Sequence, residues 1–161
     1  MKLFNLTFAI LLLFIGPPSG AQELPKELPQ FSLVSLKLHD QYLSFVHLPK
    51  LSLTISEKCV DLKKLPESLP TAQSLKDKKF RRQCQAYESL HAARELSLTP
   101  DELKGGKDPG SVACTKHLKG KAFFAEVIDE NPEIGSNETV CVFDDGSMLT
   151  ANAINSYLKN K

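Results

Sequence analysis

Cys59, Cys84, Cys114 and Cys141 constrain this chain more than any other residues in it. An even set of cysteines in a secreted protein is a disulfide framework by default, and two bridges restrict the fold to arrangements that bring those positions together. The sequence ahead of them supports that setting. Met1-Lys2 is a short basic start, Leu3 to Ile15 is almost wholly apolar, and Gly16-Pro17-Pro18 breaks any helix before the small residues Ser19-Gly20-Ala21. This is the pattern of a secretory signal peptide over residues 1–21, cleaved between Ala21 and Gln22. Its apolar run is too short for a bilayer core that needs about 20 residues, so no transmembrane segment is expected after cleavage. The expected location is exported, either periplasmic or secreted.

Three pairings of four cysteines are possible. Cys59–Cys84 and Cys114–Cys141 are favoured, because each pair falls within one predicted structural unit. Each closes a loop of about 25 residues, worth roughly 3 kcal/mol in the chain-entropy view. Metal binding is the alternative, but the gaps lack the short C-x₂₋₄-C spacing of zinc sites. The full chain has 20 basic and 19 acidic residues, and removal of Lys2 with the leader brings the mature formal charge to about zero. A neutral chain is not built for bulk capture of nucleic acid, so no nucleic-acid partner is expected.

After cleavage, residues 22–30 carry Leu24-Pro25 and Leu28-Pro29 and read as a flexible leader. Residues 31–105 read as an N-terminal α+β region. Phe31 to Leu48 has strand character broken at His39-Asp40-Gln41, with the phase slipping at Leu33 and Val34 as a bulge or strand end would make it. Leu51 to Ser56 alternates cleanly, as a half-buried strand does. Leu62 to Pro70 is a connector. Leu75 to Leu96 reads as a helix whose stripe is Phe80, Cys84, Tyr87, Leu90, His91 and Arg94. Thr99-Pro100-Asp101-Glu102 has the form of a capping box and predicts a short helix that ends at Gly105-Gly106.

Residues 106–161 form the last unit. Asp108 is a good N-cap with Pro109 behind it, and Val112, Cys114 and Leu118 can face inward before Gly120 closes the helix. Ala122 to Ile128 and Thr139 to Phe143 read as strands joined through Asn131-Pro132 and Gly135-Ser136-Asn137. Asp145-Gly146 is a turn, and Leu149 to Leu158 predicts a terminal helix. The expected architecture is therefore α+β: N-terminal antiparallel strands, a central helix, and a C-terminal helix–β-hairpin–helix unit with Cys114–Cys141 pinning helix to hairpin.

Asp108-Pro109-Gly110, Cys114 and the run Cys141-Val142-Phe143-Asp144-Asp145-Gly146-Ser147 resemble a small bacterial exported domain of unknown function whose members often carry a haemolysin label. That family reads Asn-Pro-Ala-x-x-x-Cys, then Cys-x-Phe-x-Asp-Gly-Ser and Glu-Trp-Ala. The resemblance covers Asp108 to about Ile154 and brings no catalytic residue. It departs from the family pattern near Leu149, where a cysteine is usual, and at Thr150-Ala151-Asn152-Ala153, where Glu-Trp-Ala is usual. Only one of the family's two bridges is retained.

Catalysis by a nucleophile needs a base in reach and a group to orient it. The histidines His39, His47, His91 and His117 have no such partners in the sequence, and no G-x-S-x-G elbow is present. His47, between Val46 and Leu48, reads as a strand-surface or core histidine, His91 as a packing residue, and His117 as a favourable charge at a helix end. Asp144-Asp145-Gly146-Ser147, with Asp129 and Glu130 nearby, invites a calcium reading but lacks the alternating ligands and closing Glu of such a loop. Lys76, Lys78, Lys79, Arg81 and Arg82 are the candidate contact for an anionic partner; a solvated helix face around Phe80 explains the same charges. Asn137-Glu138-Thr139 has the form of a glycosylation sequon.

No catalytic, cofactor or metal residues are therefore assigned, and no cofactor is expected. The sequence points to an exported, disulfide-stabilised, non-enzymatic binding or accessory protein of the cell envelope. Its partner would be an envelope or extracellular protein or polymer. The alternatives are a secreted toxin or membrane-active factor and a small envelope hydrolase.

Overall fold

The computed structural model describes residues 31–62, 84–129 and 134–159. Within them six strands close into one antiparallel barrel: β1 Ser32–Leu38, β2 Gln41–Leu48, β3 Leu53–Ser56, β4 Lys121–Val127, β5 Asn137–Val142 and β6 Met148–Thr150, in the order β1-β2-β3-β6-β5-β4. Three α-helices accompany them: α1 Gln85–Ala93, α2 Pro109–Val112 and α3 Ala151–Tyr157. No helix among the described residues is long and apolar enough to cross a membrane.

The barrel overturns the expected α+β layout. The N-terminal strands and the C-terminal hairpin are halves of one sheet, joined by Leu36↔Val127 and Lys37↔Glu126 on one side and by Ile55↔Leu149 on the other. Closure leaves no open sheet edge, which removes the aggregation hazard of unpaired backbone groups. The hairpin of β4 and β5 is present, but β6 follows it and turns straight into α3, so the unit is not a free helix–hairpin–helix. Strands from both halves of the chain share the same interior.

Period-two alternation divides the core in two. Val34, Leu36, Phe45, Ala125 and Val140 are buried inside the barrel. The opposite faces of β2, β3, β5 and β6 carry Val46, Leu48, Leu53, Ile55, Cys141 and Leu149, which pack beneath the helices with Tyr87, Leu90, Phe143 and Ile154. This explains why all four residues of β3 are buried, against the half-buried strand expected there. Of the bulge or strand end expected near Leu33, the strand end is present, since β1 begins at Ser32, and the bulge is not. Pairing of β1 with β2 runs unbroken from Ser32↔His47 to Leu38↔Gln41, and Leu33 simply points outward, 55% exposed.

Both disulfides pair as favoured. Cys59 and Cys84 lie 5.5 Å apart between Cα atoms, and Cys114 and Cys141 lie 5.8 Å apart. Cys84 is extended and immediately precedes α1, so the helix starts at Gln85 and does not run through Cys84. The part of that expected helix before Cys84, the leader, the signal peptide, most of the Leu62–Pro70 connector and the basic cluster Lys76 to Arg82 lie outside the described residues.

Two other expectations change their meaning. The Thr99–Glu102 box forms: the Glu102 carboxylate accepts from the Thr99 N–H at 2.8 Å, and the Glu102 N–H reaches Thr99 Oγ1 at 3.4 Å. Yet residues 100–106 continue as turns, not a helix, and run into Gly105 and Gly106 at positive φ. After α2 the chain widens, with the Leu118 N–H bonding the Ala113 carbonyl and the Gly120 N–H the Cys114 carbonyl. Lys119, not Gly120, takes the left-handed conformation. Gly120 is demanded by space, since a Cβ there would lie 2.3 Å from Cys141 Sγ.

Candidate functional site

One end of the barrel interior is polar. His47 follows Phe45 on the inward face of β2, Thr54 pairs with it on β3, and Glu138 precedes Val140 on the inward face of β5. Thr150 pairs with Val140 from β6, at the point where that strand becomes α3. All four are at least nine-tenths buried. With Asn152 and Ser156 of α3 they line a cavity of about 420 Å³.

Each group is tied into the frame. His47 Nδ1 and Thr54 Oγ1 are 2.8 Å apart, which satisfies a buried imidazole. Thr150 caps α3 by accepting the Ala153 N–H at 3.2 Å. Asn152 donates its amide to Glu138 Oε1 at 2.8 Å. Burial pushes the Glu138 carboxyl above its ordinary range; the Asn152 amide opposes this, and the negative charge of Asp108 adds to it. A carboxylate in such a place costs folding energy that a neutral side chain would not. The arrangement offers hydroxyl, amide and carboxylate oxygens around an opening of small-molecule size.

The remaining expected residues are dispersed. His39 holds a left-handed backbone at the β1–β2 turn and meets Phe123 edge-on at 5.7 Å. His91 meets Tyr87 edge-on at 5.3 Å. His117 bonds Glu102, Nε2 to Oε1, at 2.8 Å. Among the described residues no group of three His, Cys, Asp or Glu could hold a metal ion. Asp129 accepts the Ser35 N–H at 2.7 Å, and Asp145 is engaged at the start of α1, so these two carboxylates serve the backbone; Glu130 lies outside the described residues. Asn137 of the sequon is exposed, at the first position of β5.

Sequence reasoning saw His47 but missed Thr54, Glu138, Thr150 and Asn152. A signal existed for Glu138. Starting the returning strand at Asn137, not Thr139, puts Glu138 on the same face as Val140 and Val142. No family model, no curated protein and no solved structure matches this chain.

Proposed function

We propose that this protein is an exported, disulfide-braced, non-enzymatic binding or accessory module of the cell envelope, and that the polar mouth of its barrel seats a small polar ligand. The observation carrying this reading is the buried set His47, Thr54, Glu138 and Thr150, gathered at one end of the barrel interior beside the apolar cluster of Val34, Leu36, Phe45 and Val140. Packing alone favours apolar residues there, because buried polar groups gain little even when satisfied. Export is supported by the leader pattern of residues 1–21 and by two disulfides with no free cysteine among the described residues. The resemblance of Asp108 to Ile154 to an exported domain points the same way.

The test is an amide NMR titration of the oxidised protein with N-acetylglucosamine, glycerol, putrescine and succinate, each at millimolar concentration. Shifts clustered on β2, β3, β5 and the β6–α3 junction support the reading. Spectra left unmoved there by every probe overturn it.

A second reading, a membrane-active factor, has its own observation. The outer side of β1, β2 and β4 carries Leu33, Tyr42 and Phe124, with Ile128 just beyond, at 55%, 69%, 74% and 42% exposure. Exposed apolar residues gathered on one side suit a lipid surface. Dye release from anionic vesicles, abolished by Phe124→Ser with Tyr42→Ser, would favour it; intact vesicles at micromolar protein would dismiss it.

A further inference from the structure

We infer that the ligand of the barrel mouth is a small organic ammonium. This rests on the mouth being the ligand seat and adds the charge of what it takes. Glu138 is 5% exposed and lines the cavity, and its partner there, the Asn152 amide, is neutral. No lysine or arginine lines the cavity among the described residues. The other polar side chains facing it include His47, whose Nδ1 is engaged by Thr54, the hydroxyls of Thr150 and Ser156 and the amides of Asn152 and Asn155, so the lining offers oxygen acceptors besides the carboxylate. An ammonium brings three N–H donors and a compensating charge to such a site.

Asp108, at the N-cap of α2, deepens the negative field. Its own carboxylate accepts the Ser111 N–H at 2.7 Å and the Ser111 hydroxyl at 2.6 Å, so it is held at that N-cap, outside the cavity lining. The close approach of α2 to α3 keeps it there: a Cβ on Gly110 would lie 2.0 Å from the Ala151 carbonyl oxygen. Burial and Asp108 together hold the Glu138 carboxyl high, which is the state a bound cation relieves. A metal ion is the poorer occupant, since no three His, Cys, Asp or Glu side chains converge among the described residues. The cavity of about 420 Å³ is large enough for a compact amine.

The experiment compares putrescine with 1,4-butanediol, which has the same chain length and hydroxyls in place of ammonium groups. Both are titrated into the full oxidised protein at pH 8 and followed by amide NMR and calorimetry. Putrescine is expected to shift the resonances of His47, Glu138 and Asn152, with butanediol weaker by about tenfold or more. Glu138→Gln keeps an acceptor for Asn152 and is expected to remove that preference. Equal binding of the two, or stronger binding of succinate, overturns the inference while leaving the mouth as a ligand seat. Failure of putrescine, butanediol, N-acetylglucosamine and succinate alike overturns the seat itself. The wild-type comparison decides the question even if Glu138→Gln does not fold.

Discussion

Asp145 Oδ2 accepts the backbone N–H of Gln85 at 2.9 Å, across 60 residues of sequence. Cys84, the residue before α1, caps the helix with no side chain, so the cap comes from a distant turn. Ser147 completes it by accepting the Ala86 N–H at 2.8 Å, while Asp145 Oδ1 accepts the Ser147 N–H at 2.8 Å. Lys58 donates to the Asp145 carbonyl at 2.6 Å. The Asp-Gly-Ser run is therefore the clamp that seats α1 on the barrel, and its acidity serves orphan helix N–H groups.

Removing that clamp has a defined cost. Asp145→Ala is expected to lower stability by about 1–2 kcal/mol, with Asp145→Asn between Ala and wild type, because its one amide oxygen still accepts while its NH2 replaces an oxygen that accepts from Gln85 or from Ser147. Burial opposes ionisation of Asp145, but the N–H of Gln85, the N–H and hydroxyl of Ser147 and the charge of Lys58 outweigh it, holding the carboxyl below its ordinary range. A depressed folded pKa contributes stability above the unfolded value of 3.8, lost as pH falls through the folded pKa. Urea unfolding of wild type and Asp145→Asn at pH 7 and pH 3 checks both the size and the sign.

Gly120→Ala is expected to destabilise by about 1–3 kcal/mol through overpacking. The new methyl would meet Cys141 Sγ at 2.3 Å, Cys114 Sγ at 2.9 Å and Phe143 at 3.3 Å, all on residues buried in the core. The same substitution is expected to slow closure of the Cys114–Cys141 bridge. Thermal unfolding and free-thiol titration during oxidative refolding measure the two effects, and a variant with wild-type values in both contradicts the steric account.

How far this fold could be read in advance follows from which interactions are local. The β1–β2 hairpin, the Pro109 helix start and the β4–β5 hairpin have signals within a few residues, namely alternation, the polar break at His39-Asp40-Gln41 and the Asp108 cap. Both bridges were legible because each pair of cysteines sits in neighbouring elements. Barrel closure was not. It depends on Leu36↔Val127 and on Ile55↔Leu149, where β6 is only three residues long and shows no measurable period. Leu149 and Thr150 thus looked like the start of a helix. The candidate site stayed hidden for the same reason, since His47, Thr54, Glu138 and Thr150 meet only when the two halves close.

The Glu102–His117 pair gives an acid-range prediction. The Thr99 N–H, then His117, then the Thr99 hydroxyl hold the Glu102 carboxyl down at about 2 against 4.5. Its contribution is therefore present above about 4.5 and is lost as pH falls toward about 2. This lies at the surface, so the effect is small. Subtracting the melting temperature of Glu102→Gln from that of wild type should give a positive difference at pH 6 that shrinks to zero near pH 2. A flat difference across that range contradicts it.

Glu138 runs with the opposite sign. Its folded pKa is raised, chiefly by burial, so the native state binds a proton more readily than the unfolded chain, whose carboxyl titrates at 4.5. Stability contributed by this residue is accordingly lowest when the carboxylate is charged, rises as pH falls through the raised folded value, and levels off below 4.5. Glu138→Gln keeps the oxygen that accepts from Asn152 and removes the charge. The variant is therefore expected to melt higher than wild type at pH 8, with the gap closing as the pH approaches 4.5. Melting curves of both proteins across that range supply the check. A Gln variant less stable than wild type at pH 8 would mean that the ionised carboxylate is held by stronger contacts than Asn152, and the polar mouth would then be a packing feature with no need of a ligand's charge.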